Sequence, residues 1–299
     1  MTEEIAHNAG LGIIAGREAI AQGIAGWWTK KGRHSVRLEG ELEAWPMVRG
    51  LVIDPGSPMN PGSMELDRFR RVLQWAVDRE VARVVVVSSA LTMVKVERGE
   101  RRFEEGWHPL IGDPKGGGHV ERALWREGEL YRAIAQGLDA VVINPTMVVG
   151  NGLTGVDLTL LQEELKEGKP VAVLSDADVA IVRLQDVVRA AMAALARGRT
   201  GRRYLVSGGK VNLSDLVVQA AKAVGARGPR RRWSASWLQE VKRRLPEAPV
   251  AVLIRHLLGL EGQCRAMAFS AHGRGERCAG ELMVEPLRLA NIASDSPMS

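Results

Sequence analysis

The chain has 299 residues, of which 45% are hydrophobic and 25% are charged, which allows one large core or one domain with a small cap. No run of about 18 apolar residues occurs, and acidic residues stand where a signal peptide carries positive charge, so we expect neither a membrane span nor export. The two cysteines are too sparse for a disulfide framework, and we predict a cytoplasmic protein with free thiols.

The net charge of +6 is concentrated towards the C-terminus. The basic residues there are Arg197, Arg199, Arg202, Arg203, Arg227, Arg230, Arg231, Arg232, Lys242, Arg243 and Arg244. Such a patch fits a solvated surface, a site for an anionic small molecule or partner, or nucleic acid. No helix-turn-helix, zinc-finger or RNA-binding aromatic motif accompanies it, so nucleic acid is the least favoured partner.

Predicted strands and helices alternate along the first half of the chain. In chain order we expect a strand over residues 11–16, a helix to about Lys31, strands over 34–39 and 49–54, a helix over 65–80, a strand over 84–87, a helix over 119–136 and a strand over 138–145. The four consecutive valines of 84–87 favour a strand buried on both faces. This alternation predicts an α/β fold, a doubly wound parallel sheet covered by helices on both sides.

Four segments in register carry a family resemblance. They are residues 83–90 with their Ser-Ser pair, 137–152 with Asn-Pro-Thr, 180–188, and 201–209. In this order they resemble motifs of the extended short-chain dehydrogenase/reductase superfamily, and within it the NAD-dependent epimerase/dehydratase and dihydroflavonol-reductase-like group. The resemblance spans most of the first three quarters of the chain.

The resemblance implies a Rossmann-like domain organisation. A nucleotide-binding domain is expected over residues 1–155, with a smaller C-terminal substrate-binding part over 156–299, of which 171–210 return to the sheet. It further implies NAD or NADP as cofactor, a small-molecule substrate, and a homodimer formed through two long helices.

The nucleotide turn after the first strand departs from the expected pattern. In Gly-x-x-Gly-x-x-Gly the backbone approaches a pyrophosphate at a helix N-terminus. Gly16 matches the first glycine, Ala19 stands at the second, and the third falls on Gln22 or, with a shift of one, on Gly23. The Ala19 methyl crowds the phosphate and Glu18 repels it, so we expect the cofactor to bind weakly or not at all.

The segment after the second strand carries two further signals. Glu39 occupies the place of the acid that binds a ribose hydroxyl and would favour NAD over NADP; the alternative is an exposed residue at a strand end. Residues 40–48 are too few for the helix and strand that the family has there. We therefore predict that the sheet lacks one strand on this side.

The resemblance implies a catalytic serine, tyrosine and lysine, with the lysine four residues after the tyrosine on one helix face. Ser89 fits the serine. Counting back from Glu127, which resembles the family's helix glutamate, places His119 at the tyrosine and Ala123 at the lysine. His119 has an ordinary pKa near 6.5 and could act as acid or base without a lysine, or it is simply the residue that starts a helix.

An alternative register does not restore the motif. Counting from Glu129 instead gives Glu121 and Trp125, and Tyr131 is followed four residues later by Ala135. Proton transfer by a tyrosine with a lysine partner is therefore not expected. No pair of His, Asp or Glu has metal-ligand spacing, and we predict no metal site.

Tryptophans and the Asn-Pro-Thr segment suggest where a substrate binds. Trp107 is expected in a loop over the cleft, and Trp233 and Trp237 in the segment that caps it, although core packing also explains tryptophans. Asn144 and Thr146 are the polar candidates for substrate contact. Walls of this kind suit an apolar or aromatic small molecule.

Two functions of different class remain open. The first is an atypical NAD(P)-dependent oxidoreductase or epimerase-like enzyme, including a non-redox isomerase, cyclase or lyase that uses Ser89 and His119. The second is a catalytically silent protein of this fold that binds a nucleotide or a partner protein as a scaffold or sensor. Cofactor binding by the purified protein distinguishes them.

Overall fold

A computed structural model describes residues 10–56, 64–97, 100–103, 119–150, 156–157, 173–174, 178–223, 225–226 and 232–233. The N-terminal half begins with β1 (Leu11–Ala15), α1 (Glu18–Lys30), β2 (Ser35–Arg37) and β3 (Gly50–Asp54). It continues with α2 (Leu66–Asp78), β4 (Arg83–Val87), β5 (Val94–Glu97) and β6 (Glu100–Phe103). Two short 3-10 helices, Leu42–Ala44 and Ala90–Met93, lie between these elements.

The remaining elements follow residue 118. They are α3 (His119–Ala135), β7 (Ala140–Pro145), β8 (Met147–Gly150), β9 (Val156–Asp157), β10 (Val173–Leu174), β11 (Asp178–Arg183), α4 (Leu184–Arg197), β12 (Arg203–Val206), β13 (Gly209–Asn212), α5 (Leu213–Ala223) and β14 (Arg232–Trp233). None of the helices among the described residues is both long and apolar enough to cross a membrane.

A six-stranded sheet forms the centre of the fold, in the order β12-β7-β4-β3-β1-β2. Every neighbouring pair in it is parallel. The α/β prediction with a doubly wound parallel sheet is therefore confirmed, and each of the strands predicted from the sequence lies in this sheet.

The four valines of β4 lie at the centre, as expected. Val85 and Val87 pack into the core formed with α1 and α4, whereas Val84 and Val86 pack into the core formed with α2. Because successive side chains of a strand point to opposite faces, both faces of β4 are buried. This alternation is what a parallel sheet between two helical layers requires.

Among the described residues, β2 is the edge strand on this side of the sheet. Residues 40–49 contain the 3-10 turn Leu42–Ala44 and no strand. The indole nitrogen of Trp45 donates a hydrogen bond to the Glu39 carbonyl at 2.7 Å, and its ring meets Trp75 of α2 edge-on. Aromatic packing thus covers the side of the core where the family has a further strand and helix.

Smaller sheets surround the carboxyl edge of the main sheet. β13, β11, β8 and β9 form a four-stranded sheet, and β5 pairs with β6 as an antiparallel hairpin. The hairpin was not predicted from the sequence.

Trp107 and Trp237 lie outside the described residues, and so do residues 234–299.

Chain topology places a crevice at the ends of β1 and β3. The chain leaves β1, forms β2 on one side of it, and returns to form β3 on the other side. The strand order therefore reverses between β1 and β3. Ligands of open α/β sheets bind at such a switch point, beyond the carboxyl ends of the strands.

Candidate functional site

We name the two parts of the crevice after the roles expected from the sequence. The nucleotide half lies at the ends of β1 and β3, and the catalytic half lies at the ends of β4 and β7. In the nucleotide half, Gly16 follows β1, and its backbone N–H donates to the Asp54 carbonyl at 2.7 Å. A Cβ at position 16 would lie 2.6 Å from the Gly56 Cα. Only glycine fits where these two chain segments approach so closely.

An ion pair lies across the nucleotide half. The Asp54 carboxylate accepts hydrogen bonds from Arg17 Nε at 2.9 Å, Arg17 Nη2 at 2.6 Å and the Arg17 backbone N–H at 3.1 Å. It also accepts the Gly56 backbone N–H at 3.2 Å. The side chains of Arg17 and Asp54 are 11% and 1% exposed, so this pair is part of the buried structure at the switch point.

The turn before α1 does not fit the pyrophosphate of a dinucleotide. A phosphate there would accept backbone N–H groups at the helix N-terminus, yet the Arg17 N–H already donates to Asp54. Ala19 is buried and carries a methyl group where the pattern has glycine. The structure thus adds an internal carboxylate to the obstacles expected from Ala19 and Glu18.

The remaining nucleotide candidates have partners within the protein. A Cβ at Gly23 would lie 2.7 Å from Val188 Cγ2, so this glycine allows α1 to pack closely on α4. Glu39 is 69% exposed and forms an ion pair with Arg37, which also pairs with Glu18. The hydrogen bond from Arg37 lowers the pKa of Glu18, which keeps a negative charge beside the turn.

Ser89 lies at the start of the catalytic half. It is the N-cap of the 3-10 helix Ala90–Met93, and its Oγ accepts the Leu91 backbone N–H at 3.3 Å. Its side chain is buried at 8% relative exposure. A capping serine with an extended backbone is held in one place at the end of β4, which suits a group that positions a substrate oxygen.

A buried polar network surrounds this serine turn. Glu127 of α3 accepts hydrogen bonds from the Ser88 hydroxyl, from Thr92 Oγ1 at 2.8 Å and from Asn144 Nδ2 at 2.9 Å. Its other carboxylate oxygen lies 3.1 Å from Nε of Arg203, the first residue of β12. The network ties together the ends of β4 and β7, the start of β12 and the middle of α3.

The contacts of Glu127 favour one of the two sequence registers. Glu127 meets the serine turn, whereas Glu129 pairs with Arg70 of α2 and with Arg132. This agrees with counting from Glu127, which places Ala123 at the lysine position and His119, the first residue of α3, at the tyrosine position; that assignment stays a prediction. The side chain of His119 lies outside the described residues.

Ala123 lines a small cavity at the carboxyl edge of the sheet. The other lining residues are Pro55, Gly56, Val86, Val87, Ser88, Arg126 and Glu127. Burial and, to a lesser extent, the neighbouring Arg122 lower the pKa of Arg126 to about 10, although Asp54 opposes the shift. A buried guanidinium one turn after Ala123 thus supplies positive charge near the position where the family has lysine.

Tyr131 does not replace the missing tyrosine. Burial raises the pKa of Tyr131 to about 12, which opposes formation of a phenolate at neutral pH. Tyr131 lies in the last third of α3, about three turns beyond position 119. The absence of proton transfer by a tyrosine with a lysine partner stays a prediction.

The two polar substrate candidates are fully buried. Asn144 Nδ2 donates to the Ser89 carbonyl at 3.1 Å and to Thr92 Oγ1 at 3.0 Å, besides Glu127. Thr146 Oγ1 donates to the Val206 carbonyl at 3.4 Å. Direct substrate contact by either residue stays a prediction, and Trp107 cannot be placed beside them.

Among the described residues no cluster of three or more His, Cys, Asp or Glu could hold a metal ion.

Sequence reasoning missed Arg17, Asp54, Arg126 and Arg203. The signal for the first two was available, because an arginine follows β1 and an aspartate ends β3, the two strands that flank the switch point. Arg203 had been counted only within the basic C-terminal group. Its buried position follows from the pairing of β12 with β7.

Comparison with solved structures shows that this fold is shared with nucleotide-sugar epimerases. A nucleoside-diphosphate-sugar epimerase from Pseudomonas aeruginosa has a TM-score of 0.68 at 16% identity, covering 96% of this chain and 95% of that one. The RMD protein from the same organism, complexed with NADPH, has a TM-score of 0.65 at 15% identity, covering 96% and 98%.

A third neighbour is the UDP-glucose 4-epimerase of Thermus thermophilus, complexed with NAD, with a TM-score of 0.58 at 17% identity over 74% of this chain and 85% of that one. No protein-family model and no curated protein matches the sequence. The comparisons thus show that this chain shares its fold with nucleotide-sugar epimerases, and two of these three neighbours are complexes with a nucleotide cofactor.

Proposed function

We propose that this protein is an atypical epimerase-like enzyme of small-molecule metabolism that catalyses a non-redox isomerisation, cyclisation or elimination in the catalytic half of the crevice. The single observation that carries the proposal is the buried network holding the Ser88–Ser89 turn. The misfit of the nucleotide half supports non-redox chemistry over hydride transfer.

The network is costly as a purely structural feature. Burying a Glu–Arg pair removes two charges from water, and well-packed apolar side chains often stabilise a core as well or better. Here Glu127, Arg203 and Asn144 converge on the turn that carries Ser89. Clusters of buried charge in a cleft are candidates for functional sites because they fix the geometry of reacting groups.

Two side chains carry the proposed chemistry. Ser89 donates its hydroxyl proton to a substrate oxygen and polarises it, while its Oγ keeps the Leu91 N–H bond. His119 exchanges a proton with the same substrate oxygen, each side chain standing about 3 Å from it. A histidine can serve as acid or base in the physiological pH range, so this role requires no lysine partner.

A ligand screen followed by turnover measurements tests the proposal. Thermal shift with the purified full chain, starting from NAD(P)(H) and continuing with apolar and aromatic small molecules, identifies a ligand. Ser89→Ala and His119→Ala should then each lower turnover by about 10²–10⁴-fold, the usual loss for a positioned acid or base. Full activity of the double variant would contradict the proposal.

His34→Ala and Ser35→Ala are matched controls. Both residues precede or begin β2 and lie at the amino edge of the parallel sheet, opposite the crevice. Their replacement should leave turnover within about twofold, since they do not approach the reacting groups. A loss equal to that of the site variants would indicate that folding, and not chemistry, was measured.

A silent scaffold or sensor is the second candidate. The Arg17–Asp54 pair favours it, because a protein that has closed its nucleotide turn has given up the cofactor chemistry associated with this fold. This candidate would be supported if no screened small molecule bound, or if none bound more weakly to the Ser89→Ala variant than to the unmodified protein. Cytoplasmic location, homodimerisation and an apolar or aromatic substrate remain proposals in either case.

A further inference from the structure

We propose that Asp54 is an internal anion that occupies the pyrophosphate subsite of this fold and keeps dinucleotides out. The argument rests on position, contacts and burial of the Arg17–Asp54 pair. This role of Asp54 is independent of the chemistry proposed for Ser89 and His119, because it is tested by measuring ligand binding and not turnover.

The position of Asp54 follows from topology. Asp54 ends β3 and Arg17 lies between β1 and α1, and those strands flank the point where the strand order reverses. An incoming ligand is expected at this point, with its anionic group on the turn before α1. The carboxylate therefore reaches the turn from the neighbouring strand.

The contacts of Asp54 are those that a phosphate group would make. Its Oδ2 accepts the backbone N–H of Arg17, its Oδ1 accepts the backbone N–H of Gly56, and both oxygens accept Arg17 Nε. Backbone N–H groups of a turn and an arginine fork are the usual donors to a bound oxyanion. Asp54 satisfies these donors from within the chain.

Displacing this carboxylate is unfavourable for a dinucleotide. Arg17 would have to exchange its Asp54 hydrogen bonds for new ones, and the pyrophosphate would then lie beside a carboxylate only 1% exposed. Two anions at close range in a poorly solvated site repel strongly. Glu18 at the rim adds negative charge, held by its pair with Arg37.

Neutralising Asp54 should therefore open the subsite. In Asp54→Asn the amide keeps the side-chain size, and Arg17 becomes a cation able to meet a phosphate. Calorimetry with ADP-ribose and with NAD⁺ on the full chain should show binding at least about tenfold tighter than in the unmodified protein. Binding that stays unchanged in a folded Asp54→Asn protein overturns the proposal.

Asp139→Asn is the matched control. Asp139 precedes β7 and pairs with Arg83 Nη2 at 2.6 Å, at the amino edge of the same sheet. It is also an arginine–aspartate pair beside a strand, with the carboxylate 33% exposed against 1% for Asp54, and it lies far from the switch point. ADP-ribose binding should not change in this variant; a gain equal to that of Asp54→Asn would show that general loosening, and not an opened subsite, admits the ligand.

A second variant covers the case in which Asp54→Asn fails to fold because Arg17 loses its partner. Arg17→Gln combined with Asp54→Asn removes both charges and leaves hydrogen-bonding groups of similar reach. This protein should also bind ADP-ribose more tightly than the unmodified chain, by a smaller factor because the cation is gone. Low-micromolar binding of NAD⁺ by the unmodified chain, or no gain in the folded double variant, contradicts the role assigned to Asp54.

Discussion

The two halves of the crevice use buried ion pairs in opposite ways. In the nucleotide half, Asp54 of β3 and Arg17 of the turn satisfy each other across the place where a ligand anion would lie. In the catalytic half, Glu127 contacts both Arg203 and the serine turn. In our proposal the first pair occupies a binding subsite, whereas the second supports one.

This difference shows that buried charge at a cleft does not by itself mark a ligand site. What matters is the direction from which the charges come. Asp54 and Arg17 lie on the two segments that form the mouth of the subsite, so their attraction closes it. Glu127 and Arg203 come from α3 and β12 and meet at the serine turn, where Ser88 and Glu127 line the small cavity, so their attraction holds the turn without closing that cavity.

The largest expected effect comes from the sheet that both halves share. Val86 is 1% exposed at the centre of β4, and Val86→Asp would bury a carboxylate among apolar side chains. The loss should exceed about 4 kcal/mol, enough to abolish soluble expression. Met47→Asp, at a site 62% exposed, should express normally, and survival of Val86→Asp with an unchanged melting temperature would contradict the assigned architecture.

The next largest effect tests the supporting pair. Glu127→Gln leaves the Arg203 charge without its carboxylate in a buried site, and removing one partner of such a pair costs about 3–5 kcal/mol. Urea unfolding measures the loss. The double variant Glu127→Gln with Arg203→Met should recover part of it, because no buried charge remains.

A double variant as unstable as Glu127→Gln alone would show that the two residues are not energetically coupled. The comparison of the two halves would then lose its catalytic side. Recovery of stability without recovery of turnover would instead separate the positioning role of the network from its contribution to folding.

A pH experiment tests how much a second buried carboxylate of α3, that of Glu129, contributes to the stability of the protein. Burial alone would raise the pKa of Glu129, but the hydrogen bonds and charges of Arg70 and Arg132 bring it below its ordinary value. A lowered folded pKa stabilises the protein above the unfolded pKa, and this contribution is lost as pH falls through the folded pKa. Glu129→Gln should therefore cost about 1–2 kcal/mol at pH 7.

The stability difference between the unmodified chain and Glu129→Gln should begin to shrink below about pH 4, where the unfolded carboxyl protonates, and should be lost as pH falls through the lower folded pKa. Glu18→Gln is the control, because its carboxylate also has a lowered pKa but is 51% exposed. Solvent screening should keep its cost near or below about 0.5 kcal/mol. A difference for Glu129→Gln that is constant from pH 3 to pH 7 would exclude the ion pairs as its source.

Much of the fold could be predicted because its signals are local. The apolar runs predicted five of the six strands of the main sheet, whereas β12 was not predicted as a strand. The hairpin of β5 and β6 was missed although residues 94–103 have an Arg-Gly pair between two short runs. The charges in these runs obscured the alternation that usually indicates a strand.

The site was predictable only where one segment carries it. Ser89 follows from the Ser-Ser pair at the end of β4, and the loss of lysine follows from Ala123. The Arg17–Asp54 pair joins residues separated by 37 positions, and Arg203 joins Thr92 across 111 positions. Such contacts depend on which strands become neighbours, and the sequence was used to predict elements without their pairing.

The smallest expected effect distinguishes the two obstacles in the nucleotide half. We expect the unmodified chain to bind NAD(H) more weakly than about 100 μM, roughly −5.5 kcal/mol. Ala19→Gly removes a methyl group from the turn but leaves Asp54 in place, so it should tighten binding by only about threefold or less, measured by calorimetry with NAD⁺. Combined with Asp54→Asn, the same change should add its own factor, because the methyl group then becomes the remaining obstacle. If Ala19→Gly alone gave low-micromolar binding, the methyl group and not the internal carboxylate would be what closes the subsite.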